Sequence, residues 1–197
     1  HSRRETEQLI AELKSMAPYI KPFDLENFEN QVNQDLSEEN INWGVVIRRC
    51  SDAVKETIGT EAFIDVYKSI GEINTSFQDY LAISYSQIKN ASAVKKPKIV
   101  SKILDHLAFS YQDKKVALIV IDGLSWWQYM MLKEVLPQKI TDDVMFSWIP
   151  SITQLSRQAI FRGSTPLPEY KQSPQSEEKL WKDFWKSKGT IEFEIDY

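Results

Sequence analysis

The most constraining stretch of this chain is KKVALIVIDG, residues 114–123. Six apolar residues in a row, four of them β-branched, are bounded by a lysine pair and by Asp-Gly. Such a run is too short for an independent helix and is rich in Val and Ile, so it predicts a strand buried on both faces. Strands of that kind are mostly the central strands of parallel α/β sheets, where chemistry sits just beyond the carboxyl ends. Asp122 falls at that end, and Gly123 permits a sharp turn into a helix over residues 124–136. Two readings of Asp122 stand at this point. It is a carboxylate placed for chemistry, or it caps the helix that follows, since Asp is a favoured N-cap residue.

Twenty-two residues on from Asp122, the sequence VMFSWIPSITQLSRQAI begins and offers a second strand at 144–149, stopped by Pro150. Ile152, Leu155 and Ala159 then follow at helical spacing. Thr153 therefore stands in the first turn of a helix after a strand, where free backbone N–H groups and the helix dipole favour an anion. A hydroxyl and a carboxylate at the ends of two strands of one sheet would make half of a metal-assisted phosphoryl-transfer site. An ordinary N-cap is the other reading of Thr153. Arg157, one turn later, has a guanidinium fork that matches phosphate oxygens, and a surface ion pair explains it equally well.

The pair VALIVIDGLSWWQYMML and SWIPSITQLSRQAIFRGSTP resembles the PglZ family, a branch of the alkaline phosphatase superfamily. The features in common are a strand ending in Ile-Asp-Gly, a Pro-Ser-x-Thr turn, a short helix and an Arg-Gly loop. The likeness is good over residues 97–165 and weak elsewhere. It implies that Asp122 is a metal ligand and that Thr153 is the nucleophile, transiently phosphorylated and also touching the metal. It implies a site with two divalent ions, usually zinc in that superfamily, whose further Asp and His ligands come later in the sequence. His1 and His106 are the only histidines, neither at a suitable position, and no Asp-His pair follows Thr153. The expectation is a piece of a longer protein, an inactive fragment with half of a binuclear site.

The fold class expected is α/β. A helical region over 1–112 would precede an amino-terminal part of an alkaline-phosphatase-like domain over 113–197, with strands 115–121 and 144–149 in a parallel sheet flanked by helices. Asp122 and Thr153 would approach one another at the same sheet edge. Before the sheet, Leu9, Ile10, Leu13, Met16 and Ala17 make one apolar stripe, and residues 23–40 carry a narrow one. Residues 43–58 have a stripe wide enough for a core-facing helix, with Cys50 inside it as a small hydrophobe. A long helix follows over 63–88, with an interruption expected near Gly71, and another uses Ile99, Ile103, Leu104, Leu107 and Tyr111. His106 lies on the flank of that last stripe. Residues 162–178 read as a long polar loop, Leu180 to Trp185 as a short amphipathic helix, and 190–197 as a half-exposed strand.

Composition excludes several classes. A net charge of −4 provides no general basic footprint for nucleic acid, and Lys95, Lys96 and Lys98 read as a solvated loop. A single cysteine rules out an internal disulfide, and no run approaches a membrane span. The opening HSRR lacks the apolar core of a secretion signal. A cytoplasmic protein without membrane association is expected. The resemblance implies a metal-dependent phosphoesterase of a BREX-like phage-defence system, with other defence-complex proteins as partners and DNA or nucleotide as substrate. The competing expectation is a non-catalytic scaffold or interaction module within such a complex.

Overall fold

The structure is a computed structural model that describes residues 22–92, 94–112, 114–137, 139–191 and 194–197. The expected stripe from Leu9 to Ala17 lies outside the described residues. Seven α-helices are described: α1 (Leu25–Ser37), α2 (Trp43–Thr57), α3 (Ala62–Lys89), α4 (Ile103–Ser110), α5 (Trp126–Val135), α6 (Thr153–Arg162) and α7 (Pro174–Ser187). A 3-10 turn, Val100–Lys102, leads into α4. The chain divides into two compact units between Glu72 and Ile73, within α3.

In the first unit the helix starts follow local chemistry. Asp24 caps α1 by accepting from the Asn27 N–H at 3.0 Å, and Asn42 caps α2 by accepting from the Gly44 N–H at 3.1 Å. α1 and α2 pack together, with Phe28, Val32, Val46, Cys50 and Ala53 buried. Burial pushes the Cys50 thiol up to about 11, as expected of a cysteine that serves as core. α3 runs unbroken through Gly71, so the expected interruption does not occur. A single helical glycine costs only about 1 kcal/mol, which a helix of 28 residues absorbs.

The second unit overturns the α/β expectation. Among the described residues there is no strand and no sheet, only an isolated parallel bridge between Ile99 and Phe146. Residues 115–121 make no ladder, and exposure alternates along them. Leu118 and Val120 pack inward against a core cluster, whereas Ile119 is 81% and Ile121 58% exposed. A strand buried on both faces needs neighbours along both edges, and no described segment supplies them. Residues 144–149 find their one backbone partner in Lys98–Val100, through Val100 N to Phe146 O at 3.0 Å and Phe146 N to Lys98 O at 2.8 Å. That contact also removes Ile99 from the helix expected there. The half-exposed strand over 190–197 falls partly outside the described residues, and the described part forms none.

Two core clusters hold this unit instead. Ile88, Ile99, Trp148 and Ala159 form one, joined by Tyr80, Tyr85, Phe146 and Leu155. Leu104, Phe161, Trp181 and Ile195 form the other, joined by Leu118, Val120, Phe184 and Trp185. α6 contributes to both, through Ala159 and Phe161, and packs on α7, on α4 and on the 3-10 turn. It ends at Gly163, whose φ of +65° gives the left-handed cap that closes a helix. α6 is thus the central element of the unit, and it carries Thr153 at its first residue.

Candidate functional site

Neither Asp122 nor Thr153 is used as a cap. The N-cap of α5 is Ser125, whose N–H donates to Gln128 Oε1 at 2.9 Å, so that helix start is satisfied without Asp122. Asp122 instead occupies an exposed turn with Gly123, at φ +71°. The N-cap of α6 is Ile152, in extended backbone, with no side-chain capping bond. Thr153 is the residue after it, exposed, its hydroxyl in no side-chain hydrogen bond among the described residues. The Pro150 stop places it there, with Ile149–Pro150 cis and the Ile149 N–H held by the Tyr85 hydroxyl at 2.7 Å. The α6 amino end therefore presents free backbone donors beside an unengaged hydroxyl.

Arg157 lies one turn on from Thr153, where side chains four apart are neighbours on a helix. Its Nε and Nη2 each donate to Glu177, to Oε1 and Oε2, both at 2.6 Å. Its guanidinium also lies over the Phe161 ring, 5.4 Å from the centroid. Glu177, on α7, is only 2% exposed, whereas the Arg157 side chain is 24% exposed. Glu177 further accepts from the Tyr197 hydroxyl at 3.0 Å and from the Gln172 amide. The Arg157 pKa is raised, chiefly by the hydrogen bond to Glu177, with smaller contributions from nearby negative charges that include Asp122. Glu177 is pushed up by burial, but the bonds from Arg157, Tyr197 and Gln172 outweigh that and hold its carboxyl below the ordinary value. Arg157 is therefore bound to one buried carboxylate, Glu177.

No direct bond joins Asp122 to Thr153. Arg157 shares a helix face with Thr153, and the charge of Asp122 is a minor contributor to its raised pKa. Sequence reasoning missed Glu177, Gln172 and Tyr197. The Ser173-Pro174 pair was the available signal that a helix, not a loop, begins before Glu177: Ser173 caps α7 by accepting from the Ser176 N–H, and Pro174 stands in its first turn.

Residues 100–196 match the family described as the BREX system PglZ alkaline phosphatase-like domain. Residues 100–196, just under half of the chain, are thus a PglZ-family region. No curated protein and no solved structure matches the chain. Alkaline-phosphatase-like proteins generally use divalent metals. The described residues do not by themselves fit such an ion. No group of three or more His, Cys, Asp or Glu side chains comes together among them, and His106 Nδ1 is engaged with the Val94 carbonyl at 2.8 Å. Asp122 and Thr153 offer two oxygen donors, with an arginine near the first, whereas a zinc site takes about four ligands. Also among the described residues, no helix is long and apolar enough to cross a membrane.

Proposed function

We propose that this chain contributes the nucleophile and an anion-binding arginine to a phosphoesterase of a phage-defence system. The observation that carries the reading is that Thr153 and Asp122 are both released from capping, and that Arg157, one turn on from Thr153, is held by Glu177. An unengaged hydroxyl at a helix amino end, one turn from a fixed guanidinium, suits attack on a phosphate ester. In the reaction, Thr153 Oγ forms a bond to phosphorus as the bond to the leaving oxygen breaks in line. Water then attacks the phosphothreonine, releasing phosphate or a phosphomonoester and restoring the hydroxyl. Free backbone N–H groups at the start of α6 receive the non-bridging oxygens.

Asp122, in this reading, is one ligand of a divalent ion, zinc by preference, whose remaining ligands lie outside the described residues. Such ions lower the cost of developing negative charge on oxygen. The substrate class is a phosphomonoester or phosphodiester, with DNA or a nucleotide as the biological form, in the cytoplasm and alongside other proteins of the defence complex. The test is hydrolysis of a chromogenic phosphodiester with zinc, manganese or chelator, comparing wild type, Thr153→Ala and Asp122→Ala. Metal-dependent turnover absent from both variants is expected. Turnover that survives both substitutions would refute the residue assignment.

Exposed apolar side chains favour a second reading, a docking module for another defence protein. Ile119, Ile121, Met131 and Val135 are all exposed along residues 119–121 and α5. Under that reading Thr153→Ala leaves phage protection intact, while Ile121→Asp with Val135→Asp abolishes it.

A further inference from the structure

We infer that residues 164–172 form a strap that sets substrate choice, stationing Lys171 beside the amino end of α6 to meet a second phosphate group of the substrate. The inference rests on the phosphoesterase reading for the place of the first phosphate, at Thr153. Gln154, Gln158 and Arg162 follow one another at spacing four, so they line one face of α6. Each holds the backbone of the segment that returns after Gly163. Arg162 Nη1 donates to the Thr165 carbonyl. Gln158 Nε2 donates to the Leu167 carbonyl at 3.4 Å, while its Oε1 accepts from the Leu167 N–H. Gln154 Nε2 donates to the Tyr170 carbonyl at 2.5 Å. As the helix position falls from 162 to 154 the partner rises from 165 to 170, so the strap runs antiparallel to α6 and returns to its amino end.

Side chains on a helix lean toward its amino end, so the Gln154 amide brings Tyr170 level with the turn that carries Thr153. Gln158 fixes the register. Its side chain is fully buried, so both of its amide groups need partners, and one strap residue supplies them. Beyond Gln154 the strap is anchored on α7. The Tyr170 hydroxyl lies near Ser176 and Glu177, its pKa raised chiefly by burial and then by the Glu177 charge. Gln172 donates to Glu177. Lys171, between these two anchored residues, is exposed and has no partner among the described residues. On an unfastened loop such a lysine would serve no ligand, but here the backbone on each side is held, so the charge returns to the same place. Glu169, exposed in the turn before Tyr170, is the opposing charge on the strap. Lysine is a compact point charge on a flexible stem, suited to a phosphate at variable distance rather than to bidentate recognition. It therefore favours a substrate with a phosphate beyond the scissile one, as a nucleic-acid strand or a nucleoside polyphosphate has.

The test is isothermal titration of the whole chain, in chelator, with paired ligands that differ only in a second phosphate. One pair is a thymidine dinucleotide with and without a terminal phosphate, the other thymidine diphosphate and monophosphate. The added phosphate should tighten binding about threefold to fivefold, the size of one exposed ion pair, and less at high salt. Lys171→Gln should abolish that gain, and Lys171→Arg, which keeps the charge, should retain it. Gln154→Ala leaves Lys171 in place but frees Tyr170, so it should reduce the gain, and Glu169→Gln should enlarge it. Lys171, Gln154 and Glu169 are all exposed, so urea midpoints should stay unchanged in these variants. A gain with the dinucleotide pair alone identifies a strand as the source of the phosphate, and a gain with the nucleotide pair alone a polyphosphate. No gain in wild type, a gain that survives Lys171→Gln, or one unmoved by Gln154→Ala would overturn the inference, while Thr153-dependent turnover would still uphold the phosphoesterase reading. A Lys171-dependent gain in a protein whose turnover survives Thr153→Ala would refute that reading and leave Lys171 as the phosphate-binding residue of the strap.

Discussion

Replacing Gly163 by alanine tests whether α6 is held where the account needs it. Gly163 closes the helix with φ +65°, a conformation that costs an L side chain about 1 kcal/mol. A Cβ there would also meet Phe184, at 2.7 Å from Cε2 and 2.8 Å from Cδ2, and Leu104 Cβ at 3.4 Å. Phe184 has little room to yield. It packs edge-to-face on Trp185 with centroids 5.4 Å apart, beneath the Lys188 ammonium and within the Leu104–Phe161–Trp181 cluster. Overpacking of this kind costs about 1–3 kcal/mol, so Gly163→Ala should lose about 2–4 kcal/mol in all. Gly123→Ala is the internal control, since φ is +71° but nothing lies within 4 Å of the added Cβ. It should lose only about 1 kcal/mol. Urea unfolding followed by tryptophan fluorescence reports the right region, because five of the six tryptophans follow Ile73. Equal losses in the two variants would refute the packing argument, since strain alone would then explain both.

Other consequences follow from burial and charge. Leu104 is fully buried, so Leu104→Ala should cost about 2–5 kcal/mol in the same unfolding measurement. Arg157→Ala should cost about 3 kcal/mol, because it strands the buried Glu177 carboxylate, although Tyr197 and Gln172 still donate to it. Since the Glu177 pKa is lowered by folding, its stabilisation is complete above the unfolded carboxyl value of about 4.3 and is lost as pH falls through the folded value. The urea midpoint of wild type should therefore exceed that of Glu177→Gln at pH 7, with the gap closing as pH falls below the unfolded carboxyl value. The Cys50 thiol, buried and raised to about 11, should resist a disulfide reagent until the chain is unfolded.

The helices were legible because their signals are local. Asp24 and Asn42 cap, apolar residues recur at helical spacing, and Gly59, Gly163 and Gly189 stand at helix ends with positive φ. The sheet was not, because a β-branched run fixes an extended backbone without fixing a neighbour. Residues 115–121 alternate in exposure along their length, yet no described segment pairs with them. Phe146 meets Ile99 across 47 positions, a contact that no spacing rule anticipates. The candidate site divides the same way. Asp122 and Thr153 drew attention through strand-end and helix-start chemistry, and Arg157 through its place one turn later. Glu177 lies twenty residues beyond Arg157, past a polar loop, and only packing of α6 on α7 reveals the pair.

The most direct test of the central claim is to look for the phosphorylated nucleophile. The protein would be quenched in acid during incubation with phosphodiester and divalent ion, then digested and analysed by mass spectrometry. A phosphoryl group on Thr153, absent from Thr153→Ala and from chelated samples, is the predicted result. Turnover with phosphate on another residue, or on none while Thr153→Ala remains active, would contradict it.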